Sequence, residues 1–151
     1  MDDLVYVGSD KSMMKKFKIE MMKRYKMSDL GLLHHFFGIK IHKKGDGVFI
    51  CQKKYAEKVL KKFGMDDCKP IDTPLVVSEK LKKEDGGKKM DENMYKSLIG
   101  NLLYLTVSRP DLMFAASLHY RFMSNPNHIH LGAAKRVVRY VKGTTNYGIK
   151  I

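Results

Sequence analysis

The segment that decides the fold is residues 36–52, which read FFGIKIHKKGDGVFICQ. Two short runs of apolar and β-branched residues, 36–42 and 48–52, flank Gly45-Asp46-Gly47. An Asp-Gly pair between two such runs is a strong local signal for a β-hairpin. The segment therefore predicts a two-stranded antiparallel ribbon in which apolar and basic side chains alternate.

Helices are predicted on both sides of this hairpin. Before it, apolar residues recur at three- and four-residue steps from Lys11 to Met27, and Ser9 or Asp10 is the expected N-cap. After it, Lys53–Phe63 has the same spacing, and Gly64 supplies a left-handed stop. The hairpin is therefore expected to lie between two amphipathic helices.

The remainder of the chain is mostly helical in pattern. Residues 67–90 contain Pro70 and Pro74 without a clear period, which indicates a linker or a long surface loop. Ser108 can cap a helix in which Pro110 occupies the first turn. The other predicted elements are a strand at Leu4–Gly8, helices over about 92–107, 110–123 and 128–142, and a terminal strand at Tyr147–Ile151 without an evident partner.

The charge balance narrows the class of partner. The 151 residues include 29 Lys and Arg against 16 Asp and Glu, a formal net charge of +13. Such a charge attracts DNA, RNA or an anionic membrane surface, and its spread over several segments favours an extended polyanion. The longest nearly unbroken apolar run, Leu98–Val107, has about ten residues, whereas a membrane-spanning helix needs roughly 20. We therefore expect nucleic acid, and no membrane, as the partner.

The cysteine content and the first residues indicate an intracellular protein, without specifying a compartment. Cys51 and Cys68 are the only cysteines, which is typical of reduced thiols. Asp2 and Asp3 stand where a secretory signal would have basic and then apolar residues. The histidines and cysteines do not form two properly spaced zinc-ligand pairs, and no Gly-rich phosphate loop of the G-x-x-x-x-G-K-[ST] type is present.

Asp2 and Asp3, directly before the apolar run Leu4–Val7, are candidate metal ligands. Mg²⁺ prefers hard oxygen ligands and must face substrate phosphates, so two adjacent carboxylates at a turn between strands suit phosphoryl transfer. A second interpretation stays open from the residues alone. Adjacent acidic residues near a chain end are also common by chance and are then simply solvated.

Two groups of basic residues are candidate phosphate contacts. The first lies in or beside the hairpin and comprises Lys40, Lys43, Lys44 and Lys53. The second, Lys135, Arg139 and Lys142, is spaced by four and three residues and so shares one helix face opposite the valines. For both groups the alternative is a solvated basic face without a ligand.

Short motifs recur in order along nearly the whole chain. The first half contains DDLVYVG at 2–8, MSDLG at 27–31, FFGIKI at 36–41, QKKYA at 52–56, FGMDDCKP at 63–70 and TPL at 73–75. The second half contains YKSLIG at 95–100, LYLT at 103–106, RPDL at 109–112 and AKRVVRYVKGT at 134–144. Together they resemble the reverse transcriptase (RNA-directed DNA polymerase) of copia-type LTR retrotransposon Pol polyproteins, in which ribonuclease H follows the polymerase.

This resemblance implies an α+β fold: a truncated right-hand polymerase palm of strand, helix and β-hairpin, followed by a helical thumb- or connection-like region. The implied domains are the C-terminal part of the palm at 1–66, a linker at 67–90, the helical region at 91–143 and the start of a truncated ribonuclease H strand at 144–151.

The resemblance also implies roles for the Asp pair and for the hairpin. Asp2 and Asp3 correspond to catalytic carboxylates that bind Mg²⁺ at the turn of a palm hairpin, and residues 36–52 correspond to the hairpin that grips the primer end. The expected partner is an RNA template with a DNA primer, together with the polymerase segments that this chain lacks. The expected nucleic-acid contacts are Phe37, Gly38, Lys40, Lys43, Lys53, Lys135, Arg139 and Lys142.

The chain departs from the family pattern at both ends. The Tyr that precedes the Asp pair, the fingers, the upstream palm aspartate and the ribonuclease H carboxylates are all missing. Two-metal phosphoryl transfer needs carboxylates from both palm segments. We therefore expect a reverse-transcriptase fragment that is inactive as an isolated chain. The alternatives are a basic nucleic-acid-binding module without catalysis and a piece of an assembly completed in trans by a chain with the fingers.

Overall fold

A computed structural model describes residues 4–45, 47–76, 80–84 and 86–151. They divide into two compact units, one ending at Leu33 and the other His34–Ile151. The structure is mixed, with five α-helices and one antiparallel sheet among the described residues. The division after Leu33 does not coincide with the expected boundary after residue 66, and the assignment to palm, linker and thumb stays a prediction.

The first unit contains helix α1, Lys11–Arg24. Of the two candidate caps, Asp10 is the one used, because its carboxylate accepts from the backbone N–H groups of Ser12 (2.6 Å) and Met13 (3.3 Å). The helix prediction is thereby confirmed, although the helix ends three residues earlier than residue 27.

The predicted strand at Leu4–Gly8 is wrong. Residues 4–8 have no regular secondary structure, and the side chains of Leu4, Val5 and Val7 are exposed. A β-strand requires a hydrogen-bonded neighbour, and the sheet formed by the described residues lies entirely within the second unit. β-Propensity without a partner is therefore insufficient here.

The sheet of the second unit has four antiparallel strands in the order β1-β2-β3-β4. The strands are β1 (His35–Phe36), β2 (Ile39–Lys44), β3 (Gly47–Cys51) and β4 (Gly148–Lys150). The pair β2–β3 confirms the predicted hairpin. The predicted run 36–42 is nevertheless two strands, because Phe37 (φ 46°) and Gly38 (φ 80°) form a left-handed turn between β1 and β2.

Strand β4 confirms that the last residues are extended, but the expectation that they lack a partner is wrong. Ile149 pairs with Ile50 of β3, and Gly148 pairs with Cys51. The backbone of Ile151 also exchanges hydrogen bonds with Val48 (2.8 and 2.9 Å). The end of the described chain therefore completes the same sheet as the hairpin.

Four helices follow the hairpin: α2 (Lys53–Lys62), α3 (Glu92–Leu105), α4 (Met113–Tyr120) and α5 (His128–Gly143). Their apolar faces meet in one core, in which Leu98, Leu102 and Val138 are at most 1% exposed. Burying each such side chain contributes about 1.5–3 kcal/mol. Gly64 (φ 62°) ends α2 in the left-handed conformation, as predicted.

The predicted capping role of Ser108 is wrong. Its hydroxyl donates to the side-chain carbonyl of buried Gln52 over 2.8 Å. Arg109 holds the N-cap position, and Pro110–Leu112 form a 3₁₀ turn before α4. The buried Gln52 amide therefore uses the hydroxyl that could have capped the helix.

The described part of residues 67–90 is a loop, as predicted, and contains no helix or paired strand apart from a single bridge between Lys89 and Asn127. It is not a free linker. The side chains of Cys68, Leu75 and Leu81 pack against the helical core and are partly buried. The loop therefore belongs to the second unit. No helix among the described residues is long and apolar enough to cross a bilayer.

Candidate nucleic-acid interface

The turn Phe37–Gly38 is fixed by two tyrosines, which we call the tyrosine platform. The hydroxyl of Tyr104 donates to the carbonyl oxygen of Phe37. The Tyr55 side chain lies 3.7 Å from where a Cβ at Gly38 would be. The two tyrosine rings meet edge to face with centroids 4.7 Å apart, and the Tyr55 hydroxyl donates to Asn101 Oδ1 over 2.9 Å. Burial raises the pKa of Tyr55. Helices α2 and α3 thus determine where the turn sits.

The same turn presents two phenylalanine rings to solvent. Phe37 is 77% exposed and Phe36 is 38% exposed, and their rings meet edge to face with centroids 4.5 Å apart. A left-handed backbone at a non-glycine residue such as Phe37 costs about 1 kcal/mol or more. The hydrogen bond from Tyr104 supports that conformation. An exposed, positioned aromatic pair of this kind can stack on nucleobases.

Positive charge surrounds the start of α2, next to the tyrosine platform. Lys53 and Lys54 are exposed in its first turn, and that turn contains no acidic residue. The N-terminus of a helix carries the positive end of the helix dipole, so two lysines there are unfavourable unless an anion is near. This part of the surface is therefore suited to a phosphate group.

The structure does not bring Lys40 and Lys43 together. Lys40 pairs with Cys51 and Lys43 pairs with Val48, so the two lysines are three positions apart on one strand. Successive side chains of a strand point to opposite faces, which places these two lysines on opposite faces of the sheet. Lys40 shares its face with His42, whose ring lies 6.2 Å from that of Phe49.

Two of the three basic residues predicted on α5 bind this chain itself. Arg139 Nε donates to the carbonyl oxygen of Lys69 over 2.8 Å, and Lys142 Nζ donates to that of Asp66. Lys135 is exposed on the same helix. Arg139 and Lys142 therefore secure the loop after α2, a role that their spacing alone did not reveal. Their contact with nucleic acid stays a prediction.

Sequence reasoning missed the role of Arg109, which is 2% exposed. Its guanidinium donates to both carboxylate oxygens of Asp111 (2.9 and 2.7 Å) and to the carbonyl and hydroxyl of Thr144 (2.8 and 2.7 Å). It also lies 5.7 and 5.2 Å from the ring centroids of Tyr140 and Tyr147. Burial acts to raise the pKa of Asp111, but the hydrogen bonds from Arg109 and Tyr140 lower it overall. The RPDL motif was the available signal. This network holds the segment that leads into β4.

A buried histidine pair lies at the other end of the helical core. His119 and His130 are fully buried. Tyr95 donates to the backbone carbonyl of His119 over 3.1 Å, whereas His119 Nε2 has no hydrogen-bond partner among the described residues. His130 Nε2 lies 2.8 Å from the carbonyl oxygen of Lys82. Burial, with a smaller contribution from His130, lowers the pKa of His119 to about 4.

The predicted catalytic residues Asp2 and Asp3 lie outside the described residues. Over the described ranges, no group of three or more His, Cys, Asp or Glu side chains is arranged to hold a metal. In the first unit, Asp10 caps α1 and Asp29 accepts from Lys18 and from the Gly31 N–H. Those interactions lower the pKa of Asp29. The described carboxylates of this unit thus have structural partners, and Mg²⁺ binding by the Asp pair rests on the resemblance.

Several known proteins are similar in sequence to this chain. The family described as reverse transcriptase (RNA-dependent DNA polymerase) matches residues 1–77. The chain is 38% identical to an uncharacterized mitochondrial protein of Arabidopsis thaliana over 99% of its own length. It is 34% and 37% identical to retrovirus-related Pol polyproteins from transposon RE1 of A. thaliana and transposon TNT 1-94 of Nicotiana tabacum, over 98% and 95% of its length.

These similarities cover only part of each relative. The chain spans 62% of the length of the A. thaliana mitochondrial protein. It spans 10% and 12% of the two Pol polyproteins. No solved structure matches the chain. The chain therefore matches one short segment of much longer polyproteins, and the correspondence of its units to palm and thumb stays a prediction.

Proposed function

Because the chain belongs to the reverse transcriptase family of copia-type retrotransposon Pol polyproteins, we propose that it binds the primer–template of such a polymerase through the turn Phe37–Gly38. The observation that carries this proposal is the exposed ring pair of Phe36 and Phe37, at a turn whose backbone the tyrosine platform holds. A positioned ring loses little conformational freedom on binding, so its contacts with a base contribute more to affinity.

Aromatic stacking and phosphate contacts together would let this site bind the end of a primer–template. Stacking of one base on an aromatic side chain contributes about 1–3 kcal/mol and tolerates any base. Lys53, at the N-terminus of α2, contacts an adjacent phosphate. Lys40 and Lys43 contact different parts of the strand, because they lie on opposite faces of the sheet, with Lys43 on the face that carries Phe36.

The basic residues of α5 form a more distant part of the proposed interface. Lys135 contacts a phosphate directly, whereas Arg139 and Lys142 must share their side chains between the strand and the loop carbonyls that they bind. Substitution of Arg139 or Lys142 is therefore expected to affect the fold as well as affinity. Lys135 is the cleaner probe of this surface.

For catalysis, we propose that Asp2 and Asp3 bind Mg²⁺ as the family resemblance implies. When bound, the ion supplies charge stabilisation for phosphoryl transfer. Two-metal transfer needs a further carboxylate from another palm segment, so extension is expected only when a chain with that segment is supplied. A basic module that binds nucleic acid without catalysis is the alternative, and the net charge of +13 favours it equally.

Fluorescence anisotropy of a labelled RNA-template/DNA-primer duplex tests the binding proposal on the full chain. Phe37→Ala should weaken binding about tenfold, as expected for the loss of one stacked base. Phe114→Ala is the matched control, because Phe114 is a similarly exposed phenylalanine (73%) on α4. Equal losses for the two variants, or no loss for Phe37→Ala, would contradict the proposal.

Primer extension in the same tubes with Mg²⁺ separates the two alternatives. Extension that requires an added fingers-and-palm chain and disappears in Asp2→Asn or Asp3→Asn supports a polymerase piece completed in trans. Binding without extension under all conditions supports the basic module. Extension by this chain alone would contradict the expectation that its catalytic site is incomplete.

A further inference from the structure

A cavity of about 360 Å³ opens between the C-terminal end of α2, α3 and α5. Two lysines line it, Lys62 from α2 and Lys135 from α5. Its apolar lining consists of Phe63, Met94, Leu98 and Leu131. Cavities of this size with apolar walls and a few charged groups are typical of sites for small ligands or single chemical units.

Lys62 is positioned by contacts within the chain. Its Nζ donates to the Ser97 hydroxyl over 2.8 Å and lies 5.4 Å from the centroid of the Phe63 ring. An ammonium group has three donors, so the bond to Ser97 leaves capacity for an anion. Lys135 is exposed, and the described residues that line the cavity include no carboxylate. The cavity is therefore positive around an apolar floor.

We propose that this cavity takes one unstacked nucleotide of a single-stranded nucleic acid, with its base against the apolar floor and its phosphate between Lys62 and Lys135. The inference rests on the proposed function for the class of partner, and it adds a second site distinct from the turn Phe37–Gly38. It predicts that the chain binds a single-stranded template segment as well as the primer–template duplex.

The chemistry of the cavity selects this occupant. A purely apolar ligand gains nothing from two ammonium groups, and a purely ionic ligand gains nothing from a floor of Phe63 and Leu98. A nucleotide combines a flat ring with a phosphate, and every base offers a π-face, so stacking does not depend on sequence. The net charge of +13 raises the local concentration of an anionic strand further.

The first test compares a labelled single strand of about 12 deoxyadenosines with a blunt duplex, using the full chain. The single variants Lys62→Ala and Phe63→Ala should each bind the single strand about tenfold more weakly. Lys58→Ala is the control, because Lys58 is exposed on α2 and does not line the cavity. Blunt-duplex affinity should change no more than it does in Lys58→Ala. Equal losses for single strand and duplex would overturn the inference, as would a loss of single-strand binding in Lys58→Ala equal to that in Lys62→Ala.

A second readout follows the ¹³C-labelled methyl group of Met94, assigned by Met94→Leu. The single strand should shift this resonance, and poly-glutamate should not. An equal shift with poly-glutamate would overturn the inference in favour of an acidic peptide. A shift by adenosine monophosphate at the affinity of the strand would overturn it in favour of a free nucleotide. Phe37→Ala should leave the Met94 shift intact. Failure of duplex binding with the Met94 shift preserved would count against the proposed function and not against the cavity.

Discussion

Replacing His119 with leucine should remove a defined part of the acid sensitivity of the second unit. In the folded chain burial lowers the pKa of His119 to about 4, against 6.5 for an unburied histidine. Below pH 6.5 the imidazole of His119 therefore binds a proton in the unfolded chain but stays neutral in the folded chain. The stability contributed by neutral His119 is complete above pH 6.5 and is lost as the pH falls toward 4. The gap between these two pKa values lowers the free energy of unfolding by about 3 kcal/mol at low pH, and by about 2.5 kcal/mol at a pH of about 4.5.

His119→Leu is a mild change in the folded structure. Tyr95 donates mainly to the backbone carbonyl of residue 119, which the substitution keeps, and the His119 Nε2 atom has no partner among the described residues to lose. A buried unpaired nitrogen is also costly. The variant should therefore be about as stable as the parent chain near pH 7.5.

Urea unfolding followed by circular dichroism, repeated between pH about 4.5 and 7.5, measures the effect. The free energy of unfolding of His119→Leu minus that of the parent should rise by about 2.5 kcal/mol over this interval as the pH falls. Other groups that titrate in both chains, such as Asp111, do not enter this difference. A difference that stays constant with pH would refute the burial argument for His119.

Three further substitutions test the fold that positions the site. Arg109→Met should lower the free energy of unfolding by about 2–3 kcal/mol, because it leaves Asp111 and Thr144 without their guanidinium partner. Arg121→Met at an exposed position is the control. Equal losses of unfolding free energy for the two variants in urea would contradict this role of Arg109. Gly148→Val should separate β4 from β3, because a Cβ there would clash with the Ile50 carbonyl oxygen. Amide exchange in β4 should become at least about tenfold faster, and unchanged protection would argue against the pairing. Gly64→Ala should cost about 1 kcal/mol in thermal or urea unfolding because of its positive φ of 62°, and a stabilised variant would show that this conformation is not required.

Features with a local signal could be predicted from the sequence. The hairpin follows from Gly45-Asp46-Gly47, and α2 follows from its apolar spacing and from Gly64. Helix α5 begins and ends within one residue of its predicted limits. In each case neighbouring residues determine the backbone, either through turn chemistry or through a face that the core buries.

Features that depend on distant residues could not be predicted. The strand-like run Leu4–Gly8 has no partner in the described sheet, whereas Gly148–Lys150 finds one far back in the chain. Ser108 has the right spacing for a helix cap, but its hydroxyl donates a hydrogen bond to the Gln52 side chain. Period and propensity describe one segment at a time, and these outcomes were decided between segments.

The candidate site, too, could be predicted only in part from the sequence. The motifs placed Phe37 and Gly38 in it, but the tyrosine platform comes from α2 and α3 and has no local signature around the turn. Helix spacing placed Arg139 and Lys142 on one face with Lys135, yet only the structure showed that two of the three bind loop carbonyls. The assignments of Asp2 and Asp3 stay predictions.

The most direct test of the central claim is to locate the bound nucleic acid end on the protein. A DNA primer with 5-iodouracil at its 3′ end, annealed to an RNA template and irradiated with the full chain, labels the aromatic side chain against which that base stacks. Peptide mapping by mass spectrometry should place the adduct on Phe36 or Phe37. An adduct on Phe114 or Tyr120 of α4, or adducts scattered over the chain, would contradict the claim that the turn on the tyrosine platform binds the primer–template.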